Sequence, residues 1–137
     1  MNIVADTNVI VSGLLSPHGP PGEIIQLLLA QKVRVLYDSR IFMEYEGVLL
    51  RPRLRIPPLD AAIFLAHVHE NGQLVAPEPL GGTFPDPSDK MFLEAALAGS
   101  ADCMVTGNLR HFPERARHGV LVVSPADFLN FYRKNMK

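Results

Sequence analysis

Short runs of consecutive apolar residues constrain this chain more than any other feature: Ile3-Val4-Ala5, Met104-Val105-Thr106 and Val120-Leu121-Val122-Val123. Successive side chains of a strand point to opposite faces. A strand apolar at every position must therefore be covered on both faces, which is the situation of a parallel sheet. Val33 to Tyr37 reads as another strand, and Leu74-Val75 as a short third one in chain order.

Helical patterns alternate with these strands. Asn8 is a candidate N-cap for a helix through Leu15, and the Pro- and Gly-rich stretch 16–22 reads as a loop. Pro21 suits the first turn of a helix to about Ala30, with Ile24, Leu27 and Leu28 on one face. Ser39 is a candidate N-cap for a helix through Arg51, carrying Ile41, Tyr45, Val48 and Leu49; Pro52, Pro57 and Pro58 break it. Asp60 then opens a helix with Ile63, Phe64 and Val68, ending near Asn71-Gly72. Pro77, Pro79, Pro85 and Pro87 make 76–87 a loop. Ser88 is a candidate N-cap for a helix through Phe92, Ala95, Ala96 and Leu97 to Gly99. Ser124 at N-cap, Pro125 at N1 and Asp127 at N3 mark a final helix.

This alternation predicts an α/β fold, a three-layer α/β/α sandwich around a mostly parallel sheet of about five strands. The length of 137 residues fits a single domain over 1–137. One cysteine, Cys103, cannot form an internal disulfide. No apolar stretch approaches the roughly 20 residues of a membrane-spanning helix, and Asp6 interrupts the first apolar segment, so a cytoplasmic location is expected. The net charge of −1 does not itself mark a nucleic-acid binder.

In an open parallel sheet, ligands bind beyond the carboxyl ends of the strands, where strand order reverses. Asp6 closes the first strand, and Thr106-Gly107-Asn108 closes the fourth. Asp86 and Asp89 precede the alanine-rich helix, and Glu44 borders the apolar stripe of its own helix more closely than Glu46 does. Carboxylates pooled from separate parts of a chain suit a hard divalent cation, which takes oxygen ligands. Each also has a plainer reading. Asp89 suits the macrodipole of a helix start, Asp86 a turn before proline, and Glu44 and Glu46 a solvated helix face. Asp6 is harder to explain so, because a charge ending an apolar strand must be hydrated, paired or metal-bound.

Basic residues cluster at Arg51, Arg53 and Arg55, and again at Arg110, His111, Arg115 and Arg117. Either cluster suits phosphate contacts or a solvated loop surface, and the second follows Asn108 directly. The five histidines lack metal-ligand spacing, and no Gly-rich phosphate loop is present.

Four segments in order resemble the motifs of PIN-domain nucleases. They are Val4-Ala5-Asp6-Thr7-Asn8-Val9-Ile10-Val11-Ser12, then Arg40 to Leu49 around Glu44-Tyr45, then Asp86-Pro87-Ser88-Asp89-Lys90-Met91-Phe92-Leu93, then Ala101 to Asn108. The closest branch is similar to the toxin components of bacterial toxin–antitoxin pairs, of the VapC type. The resemblance implies metal-dependent endoribonuclease activity with Mg²⁺ or Mn²⁺. It implies catalytic roles for Asp6, Glu44 and Asp89, and metal binding by these with Asp86 and Asn108. Thr7, Asn8, Thr106, Arg110 and His111 are the expected substrate contacts. RNA, an antitoxin protein and a second copy in a homodimer are the implied partners. One departure stands out: many PIN domains carry aspartate after Thr-Gly, whereas this chain has Asn108, which adds no charge. The competing expectation is therefore a non-catalytic RNA- or protein-binding module with an incomplete metal site.

Overall fold

The first strand, β1 (Asn2–Ala5), is inaccessible from Ile3 to Ala5, so side chains on both of its faces are covered. It pairs in parallel with β2 (Arg34–Tyr37) on one side and with β4 (Cys103–Val105) on the other. The registers set Ile3 against Val35 and Val4 against Met104. Two-residue edge strands complete the sheet, β3 (Gln73–Leu74) beside β2 and β5 (Val122–Val123) beside β4. The computed structural model describes residues 1–136, and its five strands run in the order β3-β2-β1-β4-β5, all parallel.

Among the described residues, six α-helices cover the sheet: α1 (Thr7–Leu15), α2 (Pro20–Leu29), α3 (Ser39–Leu49), α4 (Pro58–Asn71), α5 (Lys90–Ala98) and α6 (Pro125–Asn135). Helix α2 packs on α1 and α6, while α3 packs on α4 and α5, giving the expected α/β/α sandwich. Tyr45, Phe64, Phe112 and Phe128 are fully buried and fill the larger spaces between layers. Gly13 lets α1 and α2 approach closely, since a Cβ there would run into Ile25 and Pro21. Gly22 lets the preceding loop fold onto α2, since a Cβ there would run into the Pro17 carbonyl.

Several element starts differ from the sequence expectations. The N-cap of α3 is Asp38, whose carboxylate accepts from Ile41 N–H at 3.0 Å; Ser39 lies inside the helix. Asp60 sits in the first turn of α4, which starts from Pro58. Ser88 falls in a 3-10 turn (Pro87–Asp89) capped by Asp86, and α5 proper begins at Lys90. Asn8 also lies inside its helix, and the N-cap position is taken by Asp6, whose side chain makes no capping bond. The Ser124 cap is present as expected, its hydroxyl accepting from Asp127 N–H at 3.1 Å. Strand β5 is shorter than 120–123, because Val120 N–H turns back to Arg117 C=O after the left-handed Gly119.

The apolar face of α2 is taken up by the core: Ile24, Ile25 and Leu28 are buried. On α4, Phe64 and Val68 are buried, while Leu59 and Ile63 remain in solvent. Among the described residues no helix is long and apolar enough to cross a membrane.

Candidate metal centre

Strand order reverses between β1 and β4, and the chain emerging from these two strands builds the candidate site. Asp6 N–H donates to Val105 C=O at 2.9 Å, so the pairing extends one residue past β1. The Thr106 hydroxyl donates to Asp6 Oδ2 at 2.8 Å and accepts from Asn108 N–H at 3.0 Å. Asn8 bridges the two crossovers: its Nδ2 donates to Asp6 Oδ2 at 3.3 Å, and its Oδ1 accepts from Gly107 N–H at 3.0 Å. Asp6 is buried and, among the described residues, has no cationic side chain hydrogen-bonded to it. Burial pushes its carboxyl above the ordinary range, opposed by Thr106 and by the backbone of Asn8 and Thr7.

The start of α5 brings two more carboxylates. Asp86 Oδ1 accepts from the backbone N–H and the hydroxyl of Ser88, at 3.0 and 2.8 Å. These bonds hold the Asp86 carboxyl below its usual range. Asp89 is 8% exposed, and its Oδ2 lies 2.9 Å from His111 Nδ1. Burial, then the charges of Asp6 and Asp86, push the Asp89 carboxyl up to about 6. Asp6 thus acts on Asp89 across the site. One potential ligand atom each from Asp86, Asp89 and His111 lie within 4.8 Å of one another.

Aromatic packing fixes the segments that carry this group. Phe84, two residues before Asp86, meets Phe112 edge-on at 6.4 Å between centroids, and Phe112 follows His111. Lys90 Nζ lies 5.7 Å from the Phe84 ring centre, a cation–π distance. On the other flank, the Tyr45 hydroxyl donates to Ala5 C=O and pins the middle of α3 to the end of β1. Glu44, next to Tyr45, is exposed.

The donor set suits a divalent cation. It offers carboxylate oxygens and one imidazole nitrogen, with surplus negative charge that the surrounding hydrogen bonds offset only in part. The buried Thr7 hydroxyl, in the residue after Asp6, has no hydrogen-bond partner among the described residues.

A family model for the PIN domain matches residues 2–110. The chain belongs to the PIN-domain family. PIN domains are in general nucleases and typically use divalent metals, and the acidic group could bind one. An uncharacterized protein of Methanocaldococcus jannaschii is similar to this chain, 36% identical over 55 residues. That alignment covers 40% of this chain and 36% of the relative, so the chain spans about a third of that protein's length.

In this PIN domain, Asp86, Asp89 and His111 come together, with Asp6 beside them. Asp6 and Glu44 both lie outside the 4.8 Å group; Asp6 acts on Asp89 through its charge, whereas Glu44 makes no side-chain hydrogen bond among the described residues. Asn108 is half-buried at the same edge, tied down through its backbone. Thr106, an expected substrate contact, has a fully buried side chain whose hydroxyl is bonded to Asp6 and Asn108. Thr7 is likewise buried, whereas Asn8 and Arg110 are exposed. The ring of His111 is turned onto Asp89. Arg51, Arg53, Arg55 and Arg115 are exposed, and Arg117 is held by the Phe112 carbonyl at 2.7 Å.

A neighbouring network was not anticipated. Arg40 donates to Asp38 at 2.7 Å and to Glu94 at 2.8 Å, and Glu94 also accepts from Leu80 N–H at 2.7 Å. Glu94 is buried and ties the proline-rich loop to α5. Its signal in the sequence is a charge inside the apolar run Phe92-Leu93-Glu94-Ala95-Ala96, which demands a partner.

Proposed function

We propose that this PIN domain is a metal-dependent endoribonuclease that hydrolyses RNA phosphodiester bonds, using Mg²⁺ or Mn²⁺. The observation that carries this reading is the grouping of Asp86, Asp89 and His111 beside the strand-order reversal, with Asp6 near enough for its charge to act on Asp89. Asp6, Asp86 and Asp89 would hold the cation, with Glu44 and Asn108 at the rim. A divalent cation there supplies Lewis acidity toward a phosphoryl oxygen and lowers the pKa of water in the site.

The remaining work falls to the chain's own side chains. Thr106 and Asn8 fix one Asp6 oxygen from two sides, which orients the carboxylate. His111 fixes one oxygen of Asp89. Arg110, exposed just beyond Asn108, offers a guanidinium to the RNA backbone. The ordered motifs support a further reading as the toxin of a cytoplasmic toxin–antitoxin pair, a single-domain protein that forms a homodimer and is restrained by an antitoxin.

Asn108 favours one alternative, a PIN module that binds RNA or protein without cutting, because the position contributes no charge. Incubation with single-stranded and structured RNA, in Mg²⁺, Mn²⁺ or EDTA, alongside Asp6→Asn, separates the two. The nuclease reading expects cleavage that requires metal and vanishes in Asp6→Asn. Equal inactivity of both proteins on every substrate and metal would move the binding module ahead.

A further inference from the structure

The carboxylates of the site are not its only donors. His111 is the one basic side chain hydrogen-bonded to Asp6, Asp86 or Asp89 among the described residues, and it is bonded to Asp89. We propose that His111 is a direct nitrogen ligand of the cation site, joining Asp86 and Asp89 and turning the site toward Mn²⁺ rather than Mg²⁺. This inference rests on the metal-dependent reading above, and it assigns His111 a role distinct from the substrate contact expected of it.

Three features carry it. His111 Nδ1 is 2.9 Å from Asp89 Oδ2, and a ligand atom of Asp86 completes a triangle no wider than 4.8 Å. That spacing brings the three donors around one point, as ligands of a single ion must be. The short turn bearing His111 (Leu109–His111) is also fixed: Phe112 behind it is fully buried and packs on Phe84. The imidazole is thus held against the carboxylates by the core. Asp86, for its part, has Oδ1 engaged by Ser88 and its other oxygen without a hydrogen bond among the described residues.

Ligand chemistry then sets the metal. Mg²⁺ prefers oxygen donors and keeps several waters. An imidazole donor raises the affinity of first-row transition ions relative to Mg²⁺, and a site with two carboxylates beside it still suits Mn²⁺. A purely oxygen site would discriminate far less between the two.

The test needs no RNA. Mn²⁺ is bound to the full chain, and electron spin-echo envelope modulation reads nitrogen coupled to the manganese, in wild type and in His111→Gln. Calorimetry of Mn²⁺ and Mg²⁺ binding runs in parallel. The expected result is a directly coupled ¹⁴N in wild type that disappears in His111→Gln. The variant should lose at least about 10–100-fold in Mn²⁺ affinity, since removing even a residue that only supports a ligand costs that much, and much less for Mg²⁺. The His111 side chain is 39% exposed, so the variant is expected to fold, and circular dichroism checks this.

Mn²⁺ binding without nitrogen coupling in wild type would overturn the proposal and leave His111 as a positioning residue for Asp89, with the nuclease reading intact. Coupling that persists in His111→Gln would also overturn it, because another nitrogen would be the ligand. Failure of folded wild type to bind either ion would remove the metal reading itself along with this one.

Discussion

Replacing Asp89 by Asn separates what the candidate site costs the fold from what it offers a cation. Asp89 is 8% exposed and faces the charges of Asp6 and Asp86. Burial first, and those charges second, raise its carboxyl from 3.8 to about 6. At 1.36 kcal/mol per tenfold change in proton affinity, keeping Asp89 ionised costs at most about 3 kcal/mol. Water and salt reaching the rim of the site reduce this to roughly 1–2 kcal/mol. The sign follows from linkage: the folded carboxyl holds its proton more tightly than the unfolded one. Below about pH 4 both states are protonated and there is no penalty; it grows as pH rises and is complete above about pH 6. Asn carries no charge and escapes it. Urea unfolding in EDTA near neutral pH should therefore find Asp89→Asn more stable than wild type by roughly 1–2 kcal/mol. That advantage should shrink steadily toward about pH 4. Adding Mn²⁺ should reverse the order, stabilising wild type by mass action and leaving the variant nearly unmoved. A variant less stable than wild type in EDTA near neutral pH would refute the reasoning.

Other perturbations bear on separate parts of the account. Thr106→Val removes the hydroxyl that serves both Asp6 and Asn108 N–H, and should cost about 1–3 kcal/mol while raising the Asp6 carboxyl further; urea unfolding and carboxyl ¹³C titration read the two effects. Glu94→Ala strips the acceptor from Leu80 N–H, so hydrogen exchange at Leu80 should accelerate and stability should fall by about 1–3 kcal/mol. Ser124→Ala should cost α6 about 1 kcal/mol with no effect on cation binding, as measured by urea unfolding and calorimetry.

The sheet was legible because burial on both faces writes itself as unbroken apolar runs, and Ile3-Val4-Ala5 is such a run. Asp6 stood out for the same reason, as the first charge after a strand with no polar face. Helix starts were less legible. Asn8, Ser39, Asp60 and Ser88 all have cap-forming side chains, yet at three of these starts a neighbour took the cap position: Asp38, Asp86, and Asp6 with its carboxylate turned elsewhere. Local residue preference cannot tell adjacent polar residues apart when tertiary partners compete for one of them. Pairings across long separations left no periodic trace. His111 meets Asp89 from 22 residues away, and Arg40 meets Glu94 from 54. The alternation of apolar and polar positions records which face of an element is buried, but not which charge another loop will bring to it.

The proposed divalent-cation site stands on the carboxylates at the β1–β4 reversal. The most direct measurement is a calorimetric titration of metal-free protein with Mn²⁺, comparing wild type, Asp6→Asn and Asp89→Asn. Saturable binding by wild type, lost or greatly weakened in both variants while their folds persist, is the expected result. Folded wild type that takes up no Mn²⁺ or Mg²⁺, or variants that bind as wild type does, would contradict it.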